Sequence, residues 1–137
     1  LHVASARGHI SIVDLLLQWG VDVNGRGGWF GTALQAASLA GHDAVVETLV
    51  QWGANVNVEG GYFSSALIAA SWKGHTGIVE LLLQRGADVN TRHHTLGTAL
   101  TAAVRAGHDM IIKLLLDNGA DVNAQAWSMG NLLQAAS

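Results

Sequence analysis

The side chains of this chain that could do chemistry are its seven histidines, its carboxylates and one glycine-rich stretch. A metal site needs histidine, cysteine or carboxylate ligands at ligand spacing. His9, His42, His75 and His108 each follow the last by 33 residues. They are one position repeated along the chain, and they read as structural groups bonding at the start of a helix. His93-His94 is an adjacent pair, but loop neighbours rarely aim at one ion, and no carboxylate or cysteine sits beside them at ligand spacing. No metal and no cofactor is expected. Gly25-Arg26-Gly27-Gly28 lacks the Gly-x-x-x-x-Gly-Lys-Ser/Thr pattern of a phosphate cradle and reads as a flexible hairpin tip. Asp14, Glu47, Glu80 and Lys113 share one column at the same period, which is a solvated face and not a pair of catalytic carboxylates. No Gly-x-Ser-x-Gly elbow occurs. The chain is therefore not expected to be an enzyme.

Composition narrows the field further. The chain has 137 residues, half of them hydrophobic, enough for one domain with its own core. Its formal net charge is −3, with only seven lysines and arginines, which argues against a sequence-independent nucleic-acid binder and against a polybasic membrane patch. It has no cysteine, so disulfides, thiolate metal sites and a cysteine nucleophile are excluded together. It contains no run of about 18 apolar residues and no signal peptide. An intracellular, cytoplasmic location is the default expectation.

The elements that position these residues follow from the repeat. Gly41 to Asn57 recurs as Gly8 to Asn24, Gly74 to Asn90 and Gly107 to Asn123. A fixed period in this range marks a stacked repeat architecture. Complete units run 32–64, 65–97 and 98–130, flanked by partial ones at 1–31 and 131–137, so the chain reads as one array cut inside a repeat at both ends. Thr32, Ser65, Thr98 and Asn131 are N-cap residues. Each precedes a first helix rich in alanine, such as Ala36-Ala37 and Ala69-Ala70, where small side chains let neighbours approach closely. The Gly-His pair ends that helix. A second helix follows with the stripe Val45-Val46-Leu49-Val50 and its equivalents, one broad apolar face. Gly20, Gly53, Gly86 and Gly119 close it. A turn with Asn24, Asn57, Asn90 or Asn123 comes next, the asparagine being expected to bond to the turn backbone.

Helix, Gly-His, helix, Gly-Ala-Asp-Val-Asn at this period resembles the ankyrin repeat over the whole chain. The resemblance implies an all-α solenoid of stacked helix-turn-helix units with hairpin-like loops. It implies a non-catalytic protein–protein interaction module that holds a partner on a concave surface of loops and first helices. The family's Thr-Pro-Leu-His appears here as Thr32-Ala33-Leu34-Gln35, Ser65-Ala66-Leu67-Ile68 and Thr98-Ala99-Leu100-Thr101, with no proline anywhere. Only His2 keeps the histidine, so the bonds that tie adjacent loops are in question. Gly31 to Ser38, preceded by Gly-Gly-Trp-Phe, is similar to arrays in large fungal proteins whose repeats follow a NACHT-type signalling ATPase. That similarity implies an alternative role as a regulatory sensor segment of such a protein. Self-association through the uncapped ends near Leu1 and Leu133 is a further alternative.

Positions that change from unit to unit mark the surface left free for a partner. Those columns hold Trp19, Trp52 and Arg85; Lys73; Trp72 and Arg105; and, in the loops, Trp29, Tyr62 and Trp127. By resemblance they match the columns that line the ligand-facing side of ankyrin arrays. Aromatic and arginine side chains are the usual anchors of protein interfaces. These nine residues are the candidate partner-binding set. Trp19 and Trp52 have a second reading, as a ladder packing against each other across the stack. Phe30, Phe63, Leu96 and Met129 form an apolar column expected to lie buried beneath the loops.

Overall fold

The structure is a computed structural model that describes residues 1–123. Among these residues eight α-helices form four pairs: α1 (His2–Arg7) with α2 (Ile10–Gln18), α3 (Ala33–Ala40) with α4 (Asp43–Gln51), α5 (Ala66–Lys73) with α6 (Thr76–Gln84), and α7 (Ala99–Ala106) with α8 (Asp109–Asp117). A 3-10 turn, Gly28–Phe30, lies in the first long loop. Among the described residues there is no β-strand. Isolated bridges between Gly27 and Gly31 and between His93 and Gly97 close two loops into hairpin-like turns. No helix there is long and apolar enough to cross a membrane. Trp127, Met129, Asn131 and Leu133 lie outside the described residues.

Helices of eight or nine residues are marginal in isolation, so tertiary packing must hold them. In α3 every residue from Ala33 to Ser38 is buried, because α1 and α5 flank it along the stack and α4 covers a third side. The second helices supply the branched side chains of the core. Val45, Val46, Leu49 and Val50 are buried in α4, and Ile78, Val79 and Leu82 in α6. In α8 the stripe thins: Ile111 and Leu115 are buried and Leu116 is exposed. Glu47, Glu80 and Lys113 face solvent and Asp14 does so partly, as their shared column implied. Alanine lets the first helices pack more closely along the stack than the second helices do.

Capping follows the sequence in two units and departs from it in a third. Thr32 Oγ1 accepts from Gln35 N–H at 3.2 Å while Thr32 N–H donates to Gln35 Oε1 at 2.7 Å, a reciprocal capping box. Ser65 Oγ accepts from Ile68 N–H at 3.1 Å. Thr98 stands at the same position but makes no side-chain cap bond, and its hydroxyl is buried without a partner. The N3 residue does not account for the difference, since Ile68 cannot reach back to Ser65 any more than Thr101 can to Thr98.

Two devices lock one unit to the next. His42 Nε2 donates to Ala6 O at 3.0 Å, His75 Nε2 to Leu39 O at 3.0 Å and His108 Nε2 to Trp72 O at 3.1 Å. Each ring reaches from the start of a second helix to the end of the preceding unit's first helix. The glycines of the first three Gly-His pairs make room for the next unit's ring: a Cβ on Gly41 would lie 2.5 Å from His75, and one on Gly74 2.5 Å from His108. The second device is the asparagine. Asn57 Oδ1 accepts from Asp88 N–H at 2.7 Å and its Nδ2 donates to Gly86 O at 3.0 Å, so one amide binds the next unit's turn twice. Asn24 does the same to Asn55 and Gly53, and Asn90 accepts from Asp121. The side chain that shapes each turn internally is the residue two earlier: Asp22, Asn55, Asp88 and Asp121 accept from Asn24, Asn57, Asn90 and Asn123 N–H at 2.9 Å. The expected role of the asparagines is thus corrected from stabilising a turn to joining consecutive turns.

Gly41 and Gly53 separate backbone strain from stacking. Both have left-handed φ, +82° and +91°, but a Cβ on Gly53 meets nothing within 4 Å. Gly53→Ala should cost about 1–2 kcal/mol from the left-handed conformation alone. Gly41→Ala should cost about 1 kcal/mol more, because it displaces the His75 ring and its hydrogen bond. Equal losses in urea denaturation would show that the ring contact adds no stability.

Candidate functional site

The loops before the first helices carry most of the aromatic side chains, and backbone and side-chain bonds hold these loops in line. Gly27 N–H donates to Gly31 O at 2.7 Å, Gly60 N–H to Ser64 O at 2.9 Å and His93 N–H to Gly97 O at 2.6 Å, so each loop folds back on itself. Tyr62 N–H then donates to Trp29 O at 2.9 Å, joining one loop tip to the next.

Different residues tie successive loops together. In the first loop His2 Nε2 donates to Gly25 O at 2.8 Å. Gln35, in the same column, takes over one unit later and donates to Gly60 O at 2.8 Å and Ser64 O at 3.1 Å. Loss of the histidine therefore does not loosen this joint. Ile68 occupies the column next and has no polar atom to offer, and here His93 supplies the link from the following loop. His93 Nδ1 accepts from Thr95 and Leu96 N–H at 3.1 and 3.0 Å, which leaves the proton on Nε2 to donate to Tyr62 O at 2.7 Å. With both ring nitrogens committed to backbone, His93 is a structural bridge. Its sequence neighbour His94 is exposed, the two rings lying 4.3 Å apart. Sequence reasoning missed His93 because its role depends on what Ile68 fails to do 25 residues earlier.

Held this way, the rings gather. Trp29 and Tyr62 stack with centroids 5.0 Å apart and planes 23° from parallel. Phe63 meets both edge-on at 6.0 and 5.0 Å, and Phe30 meets Trp29 at 5.2 Å. Trp29 and Tyr62 nevertheless remain 53% and 57% exposed. Of the column expected beneath the loops, Leu96 is buried, whereas Phe30 and Phe63 are only half-buried because the cluster stands at the surface.

The first helices complete this face. Arg105, near the end of α7, sends Nη1 back to Thr95 O at 2.8 Å. Its column and the Trp29–Tyr62–Thr95 column therefore meet on one side of the molecule. Trp72 occupies the Arg105 column one unit earlier, half-buried, with its indole against the core. Lys73 beside it is exposed. The freedom of this column has a backbone origin. The carbonyls of Ala6, Leu39 and Trp72 receive the inter-unit histidines, so the main chain carries the contact and the side chain can vary.

Trp19, Trp52 and Arg85 lie elsewhere, each at the C-terminal end of a second helix. Trp19 is 81% exposed, and neither tryptophan makes a ring contact with the other or with the loop cluster, so they form no ladder. The nine candidates thus divide: five on loops and first helices, three on the second-helix layer, and Trp127 outside the described residues.

Comparison with known families agrees with this geometry. The sequence profile described as Ankyrin repeats (3 copies) matches residues 1–60 and again residues 61–126. The chain belongs to the ankyrin-repeat family. Nothing among curated proteins matches it. Ankyrin repeats generally act as protein–protein interaction modules, and the stack, the inter-unit bonds and the loop tips of this ankyrin array fit that use.

Two loop variants test how the face is held. Among the described residues Ser64 is the one non-glycine with left-handed φ, +71°, in a column where Gly31 and Gly97 have +81° and +74°. Ser64→Gly should stabilise the array by up to about 1 kcal/mol in urea denaturation, the relieved strain outweighing added chain entropy. His93→Ala should cost about 1–3 kcal/mol for three lost bonds. It should also speed hydrogen exchange at the Thr95 and Leu96 amides while leaving α3 unchanged. Unaltered protection at those amides would contradict the bridging role.

Proposed function

We propose that this ankyrin array is a protein-recognition module, without catalysis of its own, that grips a partner segment on the face formed by its loop tips and first-helix ends. Trp29 and Tyr62 are the anchors, with Trp72, Lys73 and Arg105 completing the surface. Trp19, Trp52 and Arg85 stand outside it, on the second-helix layer.

The observation that carries the reading is the Trp29–Tyr62 stack. Two large rings from consecutive loops are fixed side by side by hydrogen-bonded backbone, yet stay more than half exposed. Burial alone would sink such rings, and exposed apolar surface that is held rigid is a common mark of an interaction site. Rigid aromatics are also effective anchors because little side-chain freedom remains to be lost on binding. Arg105 supports the reading by tying the end of α7 to the loop at Thr95, which brings its column beside the aromatic one.

A partner recovered with the immobilised chain should bind Trp29→Ala and Tyr62→Ala more weakly by roughly 2 kcal/mol each, with the thermal midpoint almost unchanged. Trp19→Ala and Trp52→Ala should bind as the parent does. Trp72→Ala should lose binding and some stability together, since its indole also packs on the core. Full retention of binding by the Trp29→Ala/Tyr62→Ala double variant would sink the proposal.

A further inference from the structure

The net charge of −3 conceals an uneven distribution. The first helices and the long loops carry Arg7, Arg26, Lys73, Arg92 and Arg105 against a single carboxylate, Glu59. All five cations are exposed. The other nine carboxylates lie on the second helices and the turns that follow them, where Arg85 and Lys113 are the only cations. The split is by layer, and the cationic layer is the one that presents Trp29 and Tyr62. Arg26 also reaches along the stack: a Cβ on Gly60, in the next loop, would lie 3.2 Å from its Nη1.

We propose that the partner segment is acidic: an extended peptide rich in Asp and Glu that places an apolar or aromatic side chain on the Trp29–Tyr62 pair. This rests on the recognition face described above and adds the chemistry of its occupant. At physiological salt a charge is felt over roughly 8 Å. A short segment lying on the face therefore responds to the nearby cations and not to the acidic layer behind them. A long polyanion such as single-stranded nucleic acid also pairs cations with stacking rings. It would need a continuous basic track, whereas Glu59 interrupts this one. The charge pattern thus favours a peptide. It also disfavours basic partners, since like charges placed together are costly.

Selection of a random-peptide phage library on the intact chain provides the test, with circular dichroism confirming that each variant is folded. The enriched peptides should carry more Asp and Glu than Lys and Arg, together with an aromatic or large apolar residue. Their affinity should fall roughly tenfold for Lys73→Gln/Arg92→Gln and weaken as salt is raised. Lys113→Gln, on the other layer, should leave it unchanged. Neutral or basic peptides that still depend on Trp29 and Tyr62 would overturn the acidic assignment and leave the recognition face standing. Enriched peptides indifferent to Trp29→Ala/Tyr62→Ala, or no enrichment, would overturn both. An oligothymidylate probe that binds more tightly than the best peptide through the same residues would replace the peptide with single-stranded nucleic acid.

Discussion

The structure depends on hydrogen bonds that run between units and not within them. His42, His75 and His108, at the starts of α4, α6 and α8, each seize a carbonyl of the unit before, and an asparagine amide clasps the turn of the unit after. Both are directional, so they fix the translation and rotation from one helix pair to the next. Apolar packing alone leaves such slippage cheap, because alanine faces are nearly featureless. The polar clasps supply the register that the alanines lack.

From that register follows the arrangement of the surface. Once consecutive units are fixed, their loop tips lie in line, and residues far apart in sequence become neighbours. Trp29 and Tyr62 stack because Tyr62 N–H is bonded to Trp29 O. The same logic explains why a column can vary without cost to the fold. Where the backbone carbonyl carries the contact, the side chain is released: alanine, leucine, tryptophan and arginine all occupy one place above the His42, His75 and His108 bonds or their equivalent.

The loops show a different economy. Each loop is tied to the unit before it by His2, then Gln35, then His93, three residues from two columns doing one task. Ser64 sits in a glycine place with left-handed φ, and Thr98 leaves its cap unmade. These local departures are tolerated because the helices on either side are buried and over-determine the loop ends. Ser64 ends the loop that presents Tyr62 and Phe63.

The period of 33, the Gly-His pairs, the helix-ending glycines and the apolar stripes were legible in the sequence, because each reflects a local rule repeated four times. Repetition also separated constant columns from varied ones and so picked out Trp29, Tyr62, Trp72 and Arg105. It could not show which of those columns share a face. Trp19 and Trp52 vary in the same way yet stand on the other layer, and Phe30 and Phe63 look like core yet are half-exposed. Nor could it show the direction in which the histidines and asparagines bond, since a strictly periodic string has no mark of which neighbour a side chain reaches. Sequence carries what recurs along one dimension; the stack of Trp29 on Tyr62 and the meeting of Arg105 with Thr95 arise only when units are stacked in three.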